Sequence, residues 1–79
     1  MIITLHSQYV SGGKIVSNEV LVNFDRVCAC VPYTMSDRER DYGCLLKTHI
    51  DFGSPDEQVI SVTESLNEIR ALLKEARGE

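Results

Sequence analysis

The sequence has no apolar run close to the roughly 20 residues that a membrane-spanning helix needs, which argues against a membrane protein. Residues 1–6 contain no basic segment and no long apolar stretch, so a secretory signal peptide is not expected there. Their alternating pattern is instead typical of a first β-strand. We therefore expect a cytoplasmic protein.

Positive charge is also scarce. The 79 residues include eight lysines and arginines against twelve acidic residues, which gives a net charge of −4 at pH 7. The basic residues are scattered, and the only close pair, Arg38 and Arg40, alternates with acidic side chains. Nucleic-acid binding depends on cations that line a phosphate backbone. The composition therefore favours a protein partner over a nucleic acid.

Only three cysteines are present, and an odd count without a signal peptide favours reduced thiols over disulfides. Cys28 and Cys30 lie two residues apart on one strand face, and a hairpin loop centred near Asp37 would place Cys44 opposite Cys30. Structural zinc needs four ligands, usually with paired cysteines at a C-x2-C spacing. Buried thiols that pack as small apolar groups are the preferred interpretation, and a thiol or metal-binding protein is an alternative.

Enzyme signatures are equally sparse. Residues 11–14 contain two glycines and a lysine but lack the spacing of a phosphate-binding loop. His49 and Asp51 share one face of a predicted strand, but Lys47 lies on the same face, as is typical of a solvated surface. No Ser-His-Asp or Cys-His arrangement is evident. We expect no catalytic residue, no metal site, no cofactor and no enzymatic activity.

Alternation of apolar residues predicts five short strands in a single domain, residues 1–79. These strands are expected at residues 2–6, 19–23, 26–33, 44–52 and 59–62, with turns at 11–13 and 53–56. In the fourth strand, Leu46, Thr48, Ile50 and Phe52 share one face. Residues 35–43 are expected to form an exposed connection. Short connections favour antiparallel neighbours.

One helix is predicted at the C-terminus. Ser65 and Glu68 have the spacing of a capping box. An apolar stripe at helical spacing follows, formed by Leu66, Ile69, Leu72, Leu73 and Ala76. The expected fold is α+β: a small antiparallel β-sheet of four or five strands, either open or curled, with one C-terminal α-helix packed on one face.

Two short motifs resemble a known family. Residues 22–27 (VNFDRV) and 62–69 (VTESLNEI) are similar to segments of the very small FlbD-type proteins of flagellar and swarming motility, and of related uncharacterised phage and prophage proteins. The resemblance covers most of the chain loosely. It implies a strand, a β-hairpin and a terminal helix, and it carries over no catalytic residue.

The expected function is a small non-enzymatic protein-interaction module, phage- or mobile-element-encoded, that regulates or inhibits a larger host protein. Residues 36–42 favour it, because Arg and Tyr are enriched at binding hot spots. The candidate interaction residues are Tyr33, Arg38, Arg40, Tyr42 and Leu45. A DNA-binding transcriptional regulator built on the sheet is the alternative from another class.

Self-association is a further expectation. Residues 26–33 and the pair Leu45-Leu46 are apolar on both strand faces. One helix of about 11 residues is roughly 17 Å long and covers only part of one face of a sheet that spans roughly 24 Å. The sheet should therefore curl into a barrel or bury its other face against a protein partner or in a homodimer.

Overall fold

The computed structural model describes residues 1–54 and 59–78. In chain order its elements are β1 (Ile2–Ser11), β2 (Lys14–Asn23), β3 (Ala29–Pro32), α1 (Asp37–Tyr42), β4 (Thr48–Asp51), β5 (Ile60–Val62) and α2 (Leu66–Ala76). The predicted α+β class, with antiparallel strands and a C-terminal helix, is confirmed. The turn predicted at residues 53–56 lies partly outside the described residues. No helix in the described ranges is long and apolar enough to cross a membrane.

The first two strands form one long hairpin, which we call the first sheet. β1 and β2 pair antiparallel through all ten residues of each strand, from Ile2 opposite Asn23 to Ser11 opposite Lys14. The two-residue turn, 12–13, is glycine at both positions, and both have positive φ (58° and 76°). Such a turn matches the twist of its flanking strands, and most other residues would be strained there. Both strands are longer than predicted, since the predicted strands covered only residues 2–6 and 19–23.

The other three strands form a second sheet in the order β3-β4-β5, again antiparallel. The single predicted sheet is thus two open sheets, because the chain turns after β2 and β3 pairs with β4 instead of continuing the hairpin. Cys30 lies opposite Ile50. The expected pairing of Cys30 with Cys44 is therefore wrong.

The connection at residues 35–43 contains a helix, α1, so the prediction of a single helix is wrong. Ser36 is its N-cap, and Glu39 completes a capping box in which each side chain bonds the other's backbone N–H. Gly43 ends the helix with a left-handed backbone, φ 86°. The capping-box spacing that predicted α2 is therefore also present here, but without an apolar stripe to mark a helix.

A chain of hydrogen bonds joins the two sheets. The backbone N–H of Thr63 donates to the carbonyl oxygen of His6 at 2.8 Å, and the N–H of His6 donates to Glu64 Oε1 at 2.9 Å. The fully buried Thr48 hydroxyl donates to the Glu64 carbonyl oxygen at 2.7 Å. One residue, Glu64, thereby links β1, β4 and the segment that leads into α2.

The apolar core lies between these elements. Its buried members are Ile3, Leu5 and Val22 from the first sheet, Ile50 and Val62 from the second, and Ile69 from α2. The predicted alternation of the fourth strand is confirmed at Leu46, Thr48 and Ile50, which are all buried. The hairpin and the second sheet therefore share one core under α2.

The apolar stripe of α2 is buried less evenly than its pattern suggests. Ile69 is only 3% exposed, whereas Leu66, Leu72 and Leu73 are half-buried and Ala76 is exposed. The predicted capping box at Ser65 is confirmed. Ile69 is therefore the one fully buried anchor of the described helix, and the half-buried Leu72 and Leu73 pack against the same core.

Truncation of that anchor, Ile69→Ala, should lower the free energy of unfolding by about 2–5 kcal/mol, because it removes buried methyl groups and leaves a cavity. Urea denaturation followed by circular dichroism measures the change. Arg70→Ala is the matched control, since Arg70 lies next to Ile69 but is exposed, and its effect should stay within about 0.5 kcal/mol. Equal effects of the two substitutions would contradict this packing.

Removal of the buried hydroxyl, Thr48→Val, should destabilise the protein by about 1–3 kcal/mol even though the side-chain volume hardly changes. The Glu64 carbonyl oxygen would lose the hydroxyl donor that it has from β4. Thr4→Val, on the exposed face of β1, serves as the control and should have little effect. A Thr48→Val protein that melts at or above the parent temperature would show that this bond contributes nothing.

Candidate interaction surface

α1 is held against the second sheet by Tyr33. Its hydroxyl donates to Glu39 Oε1 at 2.7 Å, and the same oxygen accepts the backbone N–H of Ser36 at 2.9 Å. The bonds from Ser36 and Tyr33 lower the pKa of the Glu39 carboxyl group, and the bond to Glu39 raises the pKa of Tyr33. One carboxylate therefore closes the helix cap and fixes the helix to the sheet.

Tyr33 is itself supported by the outer face of the second sheet. Its ring stacks on the imidazole of His49, with 5.8 Å between the ring centroids and an interplanar angle of 11°. The Nδ1 atom of His49 lies 3.4 Å from the Ser61 hydroxyl oxygen on β5. Tyr33 is half-buried in this arrangement. It therefore positions α1 and offers less free surface than the other predicted interaction residues.

Those other four residues lie on α1 or just after it and are exposed. The guanidinium carbon of Arg38 lies 5.8 Å from the centroid of the Tyr42 ring, within the range of a cation–π contact. Arg40 donates to Asp37 at 2.6 Å, one turn earlier on the helix. Leu45 follows the helix and is 62% exposed. The side chains of Arg38, Arg40 and Tyr42 are therefore partly ordered by neighbours on the same short helix.

Leu45 is directed outward by the residues around it. Cys44 and Leu46 are both buried, so the side chain between them points away from the core. The backbone N–H of Leu45 donates to Gln8 Oε1 on β1 at 2.7 Å, which fixes the segment that follows α1. We refer to the exposed group of Arg38, Tyr42 and Leu45 as the α1 surface.

The three cysteines have different environments. Cys28 is exposed, Cys30 is half-buried and Cys44 is buried, and all three are free thiols. Burial raises the pKa of the Cys30 thiol, which disfavours the reactive thiolate. Within the part of the chain that is described, no three His, Cys, Asp or Glu side chains converge in an arrangement that would hold a metal ion.

A separate cleft of about 390 Å³ lies between β1 and α2. Its lining consists of Thr4, His6, Glu64, Glu68, Ala71, Leu72 and Glu75. His6 Nδ1 lies 2.7 Å from Glu64 Oε2, and the Glu64 residue is only 9% exposed while the imidazole is half exposed. This pair could not be predicted from the sequence, because its members are 58 positions apart and no local motif surrounds either one.

The main polar feature of the cleft is the hydrogen bond between His6 and Glu64. The pKa of His6 is raised above its ordinary value, chiefly by the hydrogen bond to Glu64 and further by the charges of Glu64 and Glu19, while desolvation opposes them. Protonation of His6 therefore strengthens the link between β1 and the segment before α2. The described lining includes no serine, cysteine or lysine beside this pair.

The His6–Glu64 pair should make stability depend on pH. Because the folded pKa of His6 lies above the unfolded value of about 6.5, its stabilising contribution is complete below that pH and is lost as the pH rises through the folded pKa. Urea denaturation from acid to mildly alkaline pH should show this loss in the parent but not in His6→Asn, which cannot titrate. The control is His49→Asn, which leaves His6 in place. An NMR titration that places the His6 pKa at or below 6.5 would contradict the prediction.

Comparison with known proteins does not assign the chain to a family. No protein-family model, no curated protein and no solved structure matches the chain. The resemblance to the FlbD-type proteins therefore stays a prediction, and the proposals on function depend on the described residues themselves.

Proposed function

We propose that the protein is a non-enzymatic interaction module, encoded by a phage or another mobile element, that binds a larger host protein and regulates or inhibits it. The observation that supports this most directly is the α1 surface. There the exposed Leu45 lies close in the chain to Tyr42 and Arg38, and Tyr and Arg are residue types that dominate binding hot spots.

The contacts that hold α1 in place support a role in binding. A helix of six residues is marginal by itself, but Ser36 and Gly43 cap this one, Glu39 bonds Tyr33, and Gln8 holds the segment that follows. A surface that is ordered before it meets its partner loses less conformational entropy on binding. The contacts around α1 therefore suit recognition of a structured partner.

The charge of the chain indicates the kind of partner. The net charge of −4 favours encounter with a basic protein surface, because complementary potentials accelerate association and exclude wrong partners. Asp37 and Asp41 are exposed on α1 beside the arginines, so this helix presents both signs of charge. A basic partner with an apolar pocket for Leu45 fits these features best.

The substitution Leu45→Lys tests the proposal. It should weaken partner binding at least about tenfold, equivalent to roughly 1.4 kcal/mol, because a lysine cannot fill an apolar pocket. The fold should be unaffected, since the Leu45 side chain is exposed and its backbone bond to Gln8 is retained. The measurement is affinity capture from host extract, followed by calorimetric titration of the captured protein.

Ile2→Lys is the matched control. Ile2 is 65% exposed, close to the 62% of Leu45, and it lies on β1 six residues from Gln8, roughly 20 Å along the strand. The control should bind as the parent does. Equal binding by parent and Leu45→Lys, or equal losses in both variants, would contradict the assignment of the α1 surface.

A further inference from the structure

β2 has one bonded edge and one free edge. Within residues 1–54 and 59–78 it pairs with β1 alone. The pair that closes the two-residue turn, Ser11 with Lys14, is hydrogen-bonded, and such pairs alternate along an antiparallel hairpin. The alternation agrees with His6, whose N–H and carbonyl face away from β2. The residues whose backbone groups point out of the free edge are Ile15, Ser17, Glu19 and Leu21.

This edge lacks most of the features that keep sheet edges apart. The ten residues contain no proline, and the pairing with β1 has no bulge that would twist the edge away. Only Lys14 and Glu19 carry charge. Leu21 is 74% exposed, more than any other large apolar side chain in the described chain. The edge therefore presents four N–H and four carbonyl groups beside an exposed apolar side chain.

We propose that β2 pairs with β2 of a second copy of this chain, antiparallel, about a two-fold axis at Asn18. In this register Ile15 lies opposite the partner's Leu21, and Ser17 lies opposite the partner's Glu19. All four outward-facing residues of each strand are then used, which forms eight backbone hydrogen bonds. The pair of hairpins becomes one continuous four-stranded sheet.

Neighbouring registers are poorer. The two-fold axis must lie at a residue and not between two residues. Only then does each outward-facing residue lie opposite an outward-facing residue, with the paired side chains on the same face of the sheet. An axis at Glu19 places two glutamates opposite each other, which is destabilising. An axis at Ser17 leaves Leu21 without a partner, and an axis at Val20 uses Asn23, whose carbonyl oxygen already accepts the N–H of Arg26.

The Asn18 register also suits the side chains. On one face, Ile15 of each copy lies beside the partner's exposed Leu21. On the other face, Val16 lies opposite the partner's Val20, and the two Asn18 side chains meet at the axis. Like charges are not brought opposite each other. A second copy is therefore a complementary occupant of this edge, and the inference does not rest on the proposed function.

Light scattering coupled to size exclusion at micromolar concentration tests the pairing. The parent should have twice the chain mass. Ser17→Pro should have the mass of one chain, because it removes an outward N–H without breaking a β1–β2 hydrogen bond, and circular dichroism should show a retained fold. The control Ser17→Thr should remain dimeric. The proposal would be overturned by a parent that is monomeric, even if its β2 edge binds a strand of another protein. It would also be overturned by a dimer that persists in Ser17→Pro.

Disulfide trapping tests the register even if the proline variant fails to fold. In a Cys28→Ser background, which removes the exposed native thiol, Asn18→Cys should form a covalent dimer on mild oxidation. Opposite residues at such a non-hydrogen-bonded pair lie about 4.5 Å apart between Cα atoms, within disulfide range. Lys14→Cys is the control, since its copies would lie roughly 27 Å apart along the strands. Equal trapping of the two variants would overturn the register.

Discussion

Glu64 is the residue on which the arrangement of the two sheets depends. A two-stranded hairpin is at best marginally stable in water, and here the first sheet is such a hairpin. Burial of a carboxylate in an apolar interior is costly unless its oxygens are hydrogen-bonded. Both Glu64 carboxylate oxygens are bonded to His6, and the Glu64 carbonyl oxygen is bonded to Thr48. The hairpin therefore compensates the buried carboxylate, and the second sheet bonds the carbonyl oxygen of the same residue, so that Glu64 joins both sheets just before α2.

The α1 segment illustrates how little apolar surface is needed to order a short helix. None of its six residues is buried. Its order comes from polar contacts that each satisfy a helix-terminal group or attach the helix to the sheet, and Glu39 makes both kinds of contact. Apolar side chains such as Leu45 are then left for solvent or for a partner, instead of being used to hold the helix in place.

The sequence predicted what depends on local pattern. The capping box at Ser65, the α2 stripe and the alternation at Leu46, Thr48 and Ile50 could be read directly, because helix and strand periodicity are short-range properties. The division into two sheets could not be predicted in this way, because it depends on whether β3 pairs with β2 or with β4. The His6–Glu64 pair could not be predicted either, since it joins residues 58 positions apart and follows from the tertiary arrangement alone. α1 lies between these cases. Its capping residues can be recognised in the sequence, but no apolar stripe accompanies them to indicate a helix.

The distance in sequence between His6 and Glu64 also means that the hairpin is synthesised well before the segment that covers its inner face. The hairpin turn at 12–13 is local, so β1 and β2 can meet soon after they leave the ribosome. Their inner face, with Ile3, Leu5 and Val22, has no cover until residues 60–69 have been made. At about 5–20 residues per second, that interval lasts several seconds. During it the nascent hairpin exposes an apolar face, and a chaperone that binds exposed apolar surface would act mainly in this interval.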